Sequence, residues 1–237
     1  MLPVFLAALA VGILWALWLL PRGEVRPDYA AWMGVTAFVV LAFLLGSQWM
    51  ASHTLDPWTA AAAAGALAFR ALCGTRLATA GLALASLLGA ACLGRLAAGS
   101  GSDFWGAASV ALSALVLGTA LDTMVLGHWY LVQHGLSFRP LERMTLALLA
   151  ILAVRTVLAG LCAWRMPAAL FGGWLLMVVL LRGLLGLVGP LGLGWMVWKC
   201  VKLKSNTSAT GILYVICLFV LVGEFSSAYL VKAGHPL

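Results

Sequence analysis

The chain has 237 residues, of which 64% are hydrophobic and 9% charged, and its formal net charge is +7. Soluble domains run about 45–50% apolar and about 25% charged, and a water-soluble fold has no interior large enough to hide so much apolar surface. A soluble enzyme, a secreted disulfide scaffold and a disordered chain are therefore excluded. What remains is a polytopic, all-α transmembrane helix bundle, a single integral membrane domain over residues 1–237.

A spanning helix needs about 20 mostly apolar residues, and eight such stretches can be read along the chain. The first covers residues 2–20 and ends at Pro21. No Lys or Arg precedes it, so the basic head of a cleavable signal peptide is missing, and Arg22 and Arg26 follow it instead. It reads as a retained helix with its amino end outside. The second stretch is 30–51. The third, 58–73, is short and Ala-rich and joins the fourth, 76–98, through a tight Cys73-Gly74-Thr75-Arg76 turn. The fifth is 104–132, the sixth 141–164, the seventh 168–200 and the eighth 208–232. The seventh carries Gly186, Gly189 and Pro190. It is expected to kink there, because proline removes a backbone hydrogen bond and clashes with the preceding turn.

The connections alternate in charge. Arg22 and Arg26, then Arg70 and Arg76, then Arg139 and Arg143, then Lys199, Lys202 and Lys204 fall at the odd-numbered loops. The even-numbered loops hold only Arg95 and Arg165, and the tail holds Lys232. By the positive-inside rule, eight helices then leave both termini outside. Trp15, Trp18, Trp32, Trp129, Trp195 and Trp198 sort to the inner ends; Trp49, Trp58, Trp105, Trp164 and Trp174 sort to the outer ends. These are the two aromatic belts of a bilayer protein. Basic residues at helix ends orient the chain and meet anionic lipid headgroups; no basic run is long enough to suggest nucleic acid. The five cysteines, an odd number without CxxC spacing, read as small buried apolar residues.

Ionisable groups inside a membrane are costly and are candidates for function. They are Asp122, His128, Arg155, Arg182 and Glu224. Glu224, in Val222-Gly223-Glu224-Phe225-Ser226-Ser227, reads either as a proton acceptor for a quinol or as an ion-pair partner of Arg182 or Arg155. Arg155 and Arg182 remain charged, so pairing with Asp122 and Glu224 balances two positives with two negatives. His128, Tyr130, Asp122 and Arg182 form the candidate lining of a quinone or lipid-headgroup pocket, with the alternative that Gly127-His128-Trp129-Tyr130 is an aromatic anchor ending its helix. His53, His128, His134 and His235 give no pair on different helices at matching depth for a bis-histidine haem. A single haem on His128 and a methionine has no supporting pattern. No HExxH or CxxC metal spacing occurs, and no Ser-His-Asp set or phosphate-cradling loop.

The close of the chain, Leu221-Val222-Gly223-Glu224-Phe225 followed by Tyr229 and His235, together with eight helices and outward termini, resembles the integral membrane anchor subunits of molybdopterin oxidoreductases of the dimethyl sulfoxide and polysulfide reductase type. The likeness covers about the last 25 residues plus the topology. It implies a haem-free, quinone-reactive subunit that docks an Fe–S protein, in a bacterial inner (cytoplasmic) membrane with both termini periplasmic. The leading expectation is thus a membrane subunit of a respiratory or other electron-transfer complex, inactive alone, with the lipid bilayer and other membrane or redox subunits as partners. A small-solute or ion transporter, using the broken seventh helix, and a non-catalytic assembly subunit are the alternatives.

Overall fold

The computed structural model describes residues 2–21, 24–99, 104–133, 137–164 and 173–232. Among them every regular element is a helix. α1 is Leu2–Ala16, tightening into a 3-10 turn over Leu17–Leu19; α2 is Pro27–Ser52, α3 Pro57–Leu72 and α4 Ala78–Gly99. α5 is Phe104–Val132, α6 Arg139–Trp164, α7 Gly173–Lys202 and α8 Asn206–Lys232. All of these except α3 are long and apolar enough to cross a membrane. The 16 residues of α3 rise only about 24 Å, short of a hydrocarbon core of about 30 Å. The protein is an integral membrane helix bundle.

The helix ends follow local chemistry. Pro27 and Pro57 occupy the first turns of α2 and α3, where a missing N–H costs nothing and φ is already helical. Proline nucleation explains why α2 begins three residues before the apolar run that marks it in the sequence. Asp56 caps α3, its carboxylate accepting from the Thr59 backbone N–H at 2.8 Å and from the Thr59 hydroxyl at 2.8 Å. α2 stops at His53, whose left-handed backbone (φ 52) returns its N–H to the Trp49 carbonyl. The α3–α4 turn runs through Gly74 at φ 85, a conformation that glycine adopts without a Cβ penalty.

α5 is the central helix, with 67% of its apolar window buried, and it packs against α1, α4, α6 and α8. Gly12 of α1 lies directly on the α5 backbone at Ala114–Gly118, a small-residue crossing of the kind that lets membrane helices approach closely. At one end of the bundle the loops after α1, α3 and α5 converge. Arg26 Nη1 donates to Gln133 Oε1 at 3.4 Å, and Leu20, Pro21 and Val25–Pro27 share a cavity of about 330 Å³ with Cys73–Thr75, Ala78 and Thr79. Arg26, from the first of these connections, thus lies beside the α3–α4 turn and the end of α5. Arg22, His134, Arg165 and His235, and the start of the expected seventh helix at 168–172, lie outside the described residues.

The expected disturbance of the seventh helix falls at the predicted place. At this point α7 widens into a π-helix over Leu181–Val188. The Gly189 N–H bonds to the Leu184 carbonyl, five residues back. Pro190 supplies the cause: it has no N–H to offer the turn before it, and the wider turn moves the carbonyl its ring would strike. This π segment carries Arg182.

Candidate functional site

Four helices deliver polar side chains to one buried point. α8 presents Glu224 and, one turn on, Ser227; α6 presents Arg155; α5 presents Ser113; the π segment of α7 presents Arg182. Arg155, Arg182, Glu224 and Ser227 are each no more than 1% exposed. Glu224 Oε1 meets Arg182 Nη1 at 2.8 Å, and Oε2 meets Arg155 Nη2 at 3.3 Å. The Ser113 hydroxyl donates to Oε2 at 2.5 Å. Arg155 Nη2 also donates to Ser113 Oγ at 3.2 Å and to Ser227 Oγ at 2.7 Å.

Two glycines make this meeting possible. Gly186 of α7 faces Gly223 of α8 so closely that a Cβ on Gly186 would stand 2.6 Å from the Gly223 Cα. Any larger residue at either position would push the helices apart. It would also push Arg182, whose Nη1 lies 3.0 Å from that same Cβ position, off the carboxylate next to Gly223. The close approach thus seats the 2.8 Å pair.

The arginine end of the cluster borders a groove between α6 and α7 of about 220 Å³. Its walls include Thr156, Gly160, Gly183, Leu187 and Val188, and Arg182 contributes to its lining. Thr156 spends its hydroxyl proton on the Leu152 carbonyl at 2.8 Å, so the wall is apolar in effect. Arg182 Nε and Nη2 are buried and have no hydrogen-bond partner among the described residues.

The sequence-derived site residues divide. Arg155, Arg182 and Glu224 come together; Asp122 does not join them. Its carboxylate is fully buried and neither oxygen has a partner among the described residues. Asp122 lies nine residues beyond Ser113 on α5, about 13 Å along the helix axis. The expected balance of two arginines by Asp122 and Glu224 is therefore corrected: both arginines converge on Glu224, because the helix that brings a carboxylate to their depth is α8. The expected pocket of His128, Tyr130, Asp122 and Arg182 is corrected likewise. His128 is exposed, its Nδ1 3.1 Å from the Tyr214 hydroxyl. The Tyr130 hydroxyl donates to the Ser137 carbonyl. The Asp122 backbone carbonyl accepts from the Tyr29 hydroxyl at 2.8 Å, and Tyr29 stacks edge-on against Trp129 at 5.9 Å. Only Arg182 of the four borders the α6–α7 groove.

Ser113 and Ser227 escaped the sequence reading. Ser227 carried a signal, since it stands three residues after Glu224 on the same helical face. Ser113 carried none, being one serine in an Ala-rich helix. Among the described residues no three of His, Cys, Asp and Glu stand close enough to hold a metal ion.

Comparison with family models, with curated proteins and with solved structures found no match.

Proposed function

We propose that this chain is an integral membrane subunit of an electron-transfer complex and holds a quinone-type ligand in the α6–α7 groove. The observation that carries the reading is Arg182, a buried guanidinium with two unpartnered N–H groups bordering an otherwise apolar groove. Ligand sites are concave and mostly apolar, with a few placed polar groups that fix orientation. A quinone suits such a site, having an apolar tail, a flat ring and carbonyl oxygens that only accept hydrogen bonds. Arginine has only donors to offer.

In this reading the π segment sets the angle of Arg182, the Gly186–Gly223 contact brings it to Glu224, and Glu224 holds it in place. Glu224 is a positioning residue here and not the proton acceptor, because both its oxygens are engaged by Arg155, Arg182 and Ser113. Electrons pass to or from a redox partner subunit. The chain lies in a bacterial inner membrane, with its basic connections facing the cytoplasm.

The test is purification of the tagged chain from its native membrane in mild detergent, with mass spectrometry of the proteins and extraction of quinones. Stoichiometric Fe–S or cytochrome subunits with bound quinone are expected. Recovery of the chain alone, quinone-free and active in solute uptake, would contradict the proposal. The second reading is an assembly subunit, favoured by the closure of both arginines on one carboxylate. Under it, Arg182→Gln lowers the yield of complex and leaves quinone content per complex unchanged.

A further inference from the structure

The last two turns of α7 carry a feature that the α6–α7 groove does not use. Trp195, Trp198, Lys199 and Lys202 stand at the i, i+3, i+4 and i+7 spacing that puts side chains on one face of a helix. The Trp195 and Trp198 rings lie 4.8 Å apart, tilted by 38°. The Lys199 ammonium stands over the Trp195 ring, 5.6 Å from its centre, and the Lys202 ammonium over the Trp198 ring at 4.3 Å. Each cation is held by the negative face of an indole, which limits where a flexible lysine can swing. Trp195, Lys199 and Lys202 are exposed, as is Lys204 just beyond them.

The chain does not use these charges itself. No ion pair among the described residues involves any of the three lysines, and residues 143–223 include no Asp or Glu. Nor are the lysines needed to cap α7. The carbonyls of Lys199, Cys200 and Val201 already accept the backbone N–H groups of Leu203, Ser205 and Lys204 at 2.9–3.1 Å. Three ammonium groups within six residues therefore face outward beside aromatic rings. Their depth points to what they meet. The 30 residues of α7 rise about 45 Å, the thickness of a bilayer with its headgroups, about 40–45 Å. The last turn then lies among the headgroups, where the abundant anion next to hydrocarbon is lipid phosphate. A zwitterionic lipid already pairs its phosphate with its own ammonium, whereas an anionic lipid does not.

We infer that this face of α7 is a binding site for one anionic phospholipid, with its phosphate shared by Lys199 and Lys202 and its glycerol backbone against the exposed indole of Trp195. The paired rings fix the two ammonium groups before the lipid arrives, so less ordering is required on binding. Lys204 adds to the local positive potential.

The test titrates short-chain phosphatidylglycerol and phosphatidylcholine into the detergent-purified complex and counts bound lipid by native mass spectrometry. Phosphatidylglycerol is expected to bind at least about tenfold more tightly. A basic residue at a lipid surface contributes about 1 kcal/mol, so Lys199→Gln and Lys202→Gln each weaken phosphatidylglycerol about fivefold and together about 25-fold. Phosphatidylcholine binding stays where it was. Trp195→Leu releases Lys199 and weakens phosphatidylglycerol by a smaller factor, about twofold. The arginine pair Lys199→Arg and Lys202→Arg keeps the preference. Equal binding of the two lipids, or a preference that survives the double glutamine variant, would overturn the site. An equal loss from a basic residue of another connection, Arg76→Gln, would reduce the preference to general surface charge and overturn it as well. A co-purifying protein that shields Lys199 and Lys202 from amine labelling, with no phospholipid held, would assign the face to that protein and against the lipid.

Discussion

Replacing Glu224 by glutamine keeps the shape of the side chain and removes a negative charge that two buried arginines share. At an effective dielectric of about 20, the Coulomb attraction is about 5 kcal/mol for the 3.3 Å contact and about 6 kcal/mol for the 2.8 Å contact. Repulsion between the two arginines and the desolvation of all three groups offset much of this. Breaking a buried pair by removing one partner costs about 3–5 kcal/mol, which at about 2–4 °C per kcal/mol for a chain of this size lowers the melting temperature by roughly 6–20 °C. The buried thiols of Cys92, Cys162 and Cys217 make a thiol-reactive dye the natural reporter of unfolding in detergent. The geometry also orders the variants. Arg182→Gln leaves Arg155 and Glu224 as a balanced pair still bonded to Ser113, so it costs less than Glu224→Gln. The double variant costs less than the sum of the two, since contacting residues are not additive. A Glu224→Gln protein melting within about 2 °C of the parent, or Arg182→Gln falling as far as Glu224→Gln, would refute the shared-carboxylate account.

Gly223→Val forces α7 and α8 apart where they now touch. It should destabilise by about 1–3 kcal/mol, as overpacking does, and lower quinone content as Arg182 loses its seat; unchanged melting and quinone content would contradict the crossing. Asp122→Asn removes a buried carboxylate whose oxygens have no partners among the described residues. It should leave the melting temperature unchanged or raised, opposite to Glu224→Gln, because no pair is broken and a desolvation cost is relieved; a fall of more than about 5 °C would show that Asp122 holds a partner. At the α3–α4 turn, burial pushes the Cys73 thiol up, only partly countered by the nearby Arg70 charge. Its folded state therefore favours the protonated thiol, and labelling by a charged maleimide in a Cys200→Ser background should be slow near neutral pH and accelerate as pH rises above the free-thiol range. A rate independent of pH would contradict this.

The helices were legible in the sequence because each needs only its own residues, an apolar run of near-spanning length; the first-turn prolines of α2 and α3 and the capping Asp56 that set where they begin were not read. The candidate site was legible as a set of costly residues, since Arg155, Arg182 and Glu224 stand out against apolar neighbours. Their pairing was not, because it depends on which helices touch. Charge balance pointed to Asp122, whereas the depth of each residue along its helix decides the matter and places Ser113, not Asp122, beside Glu224. The π segment was half legible. Pro190 marks a disturbance, but a proline alone does not say that the turn before it widens into a π segment. The joining of His128 and Tyr130 to Arg182 failed for the same reason as Asp122: they share polarity with the site but not its end of the bundle.

The most direct test of the quinone groove is photolabelling of the native complex with an azido-quinone bearing a hydrocarbon tail, followed by peptide mapping. The account predicts label on the groove walls of α6 and α7, between Thr156 and Ala163 and between Val179 and Val188, lost on Arg182→Gln. Label confined to the exposed His128–Tyr214 face, or label on α6 and α7 that survives Arg182→Gln undiminished, would contradict it.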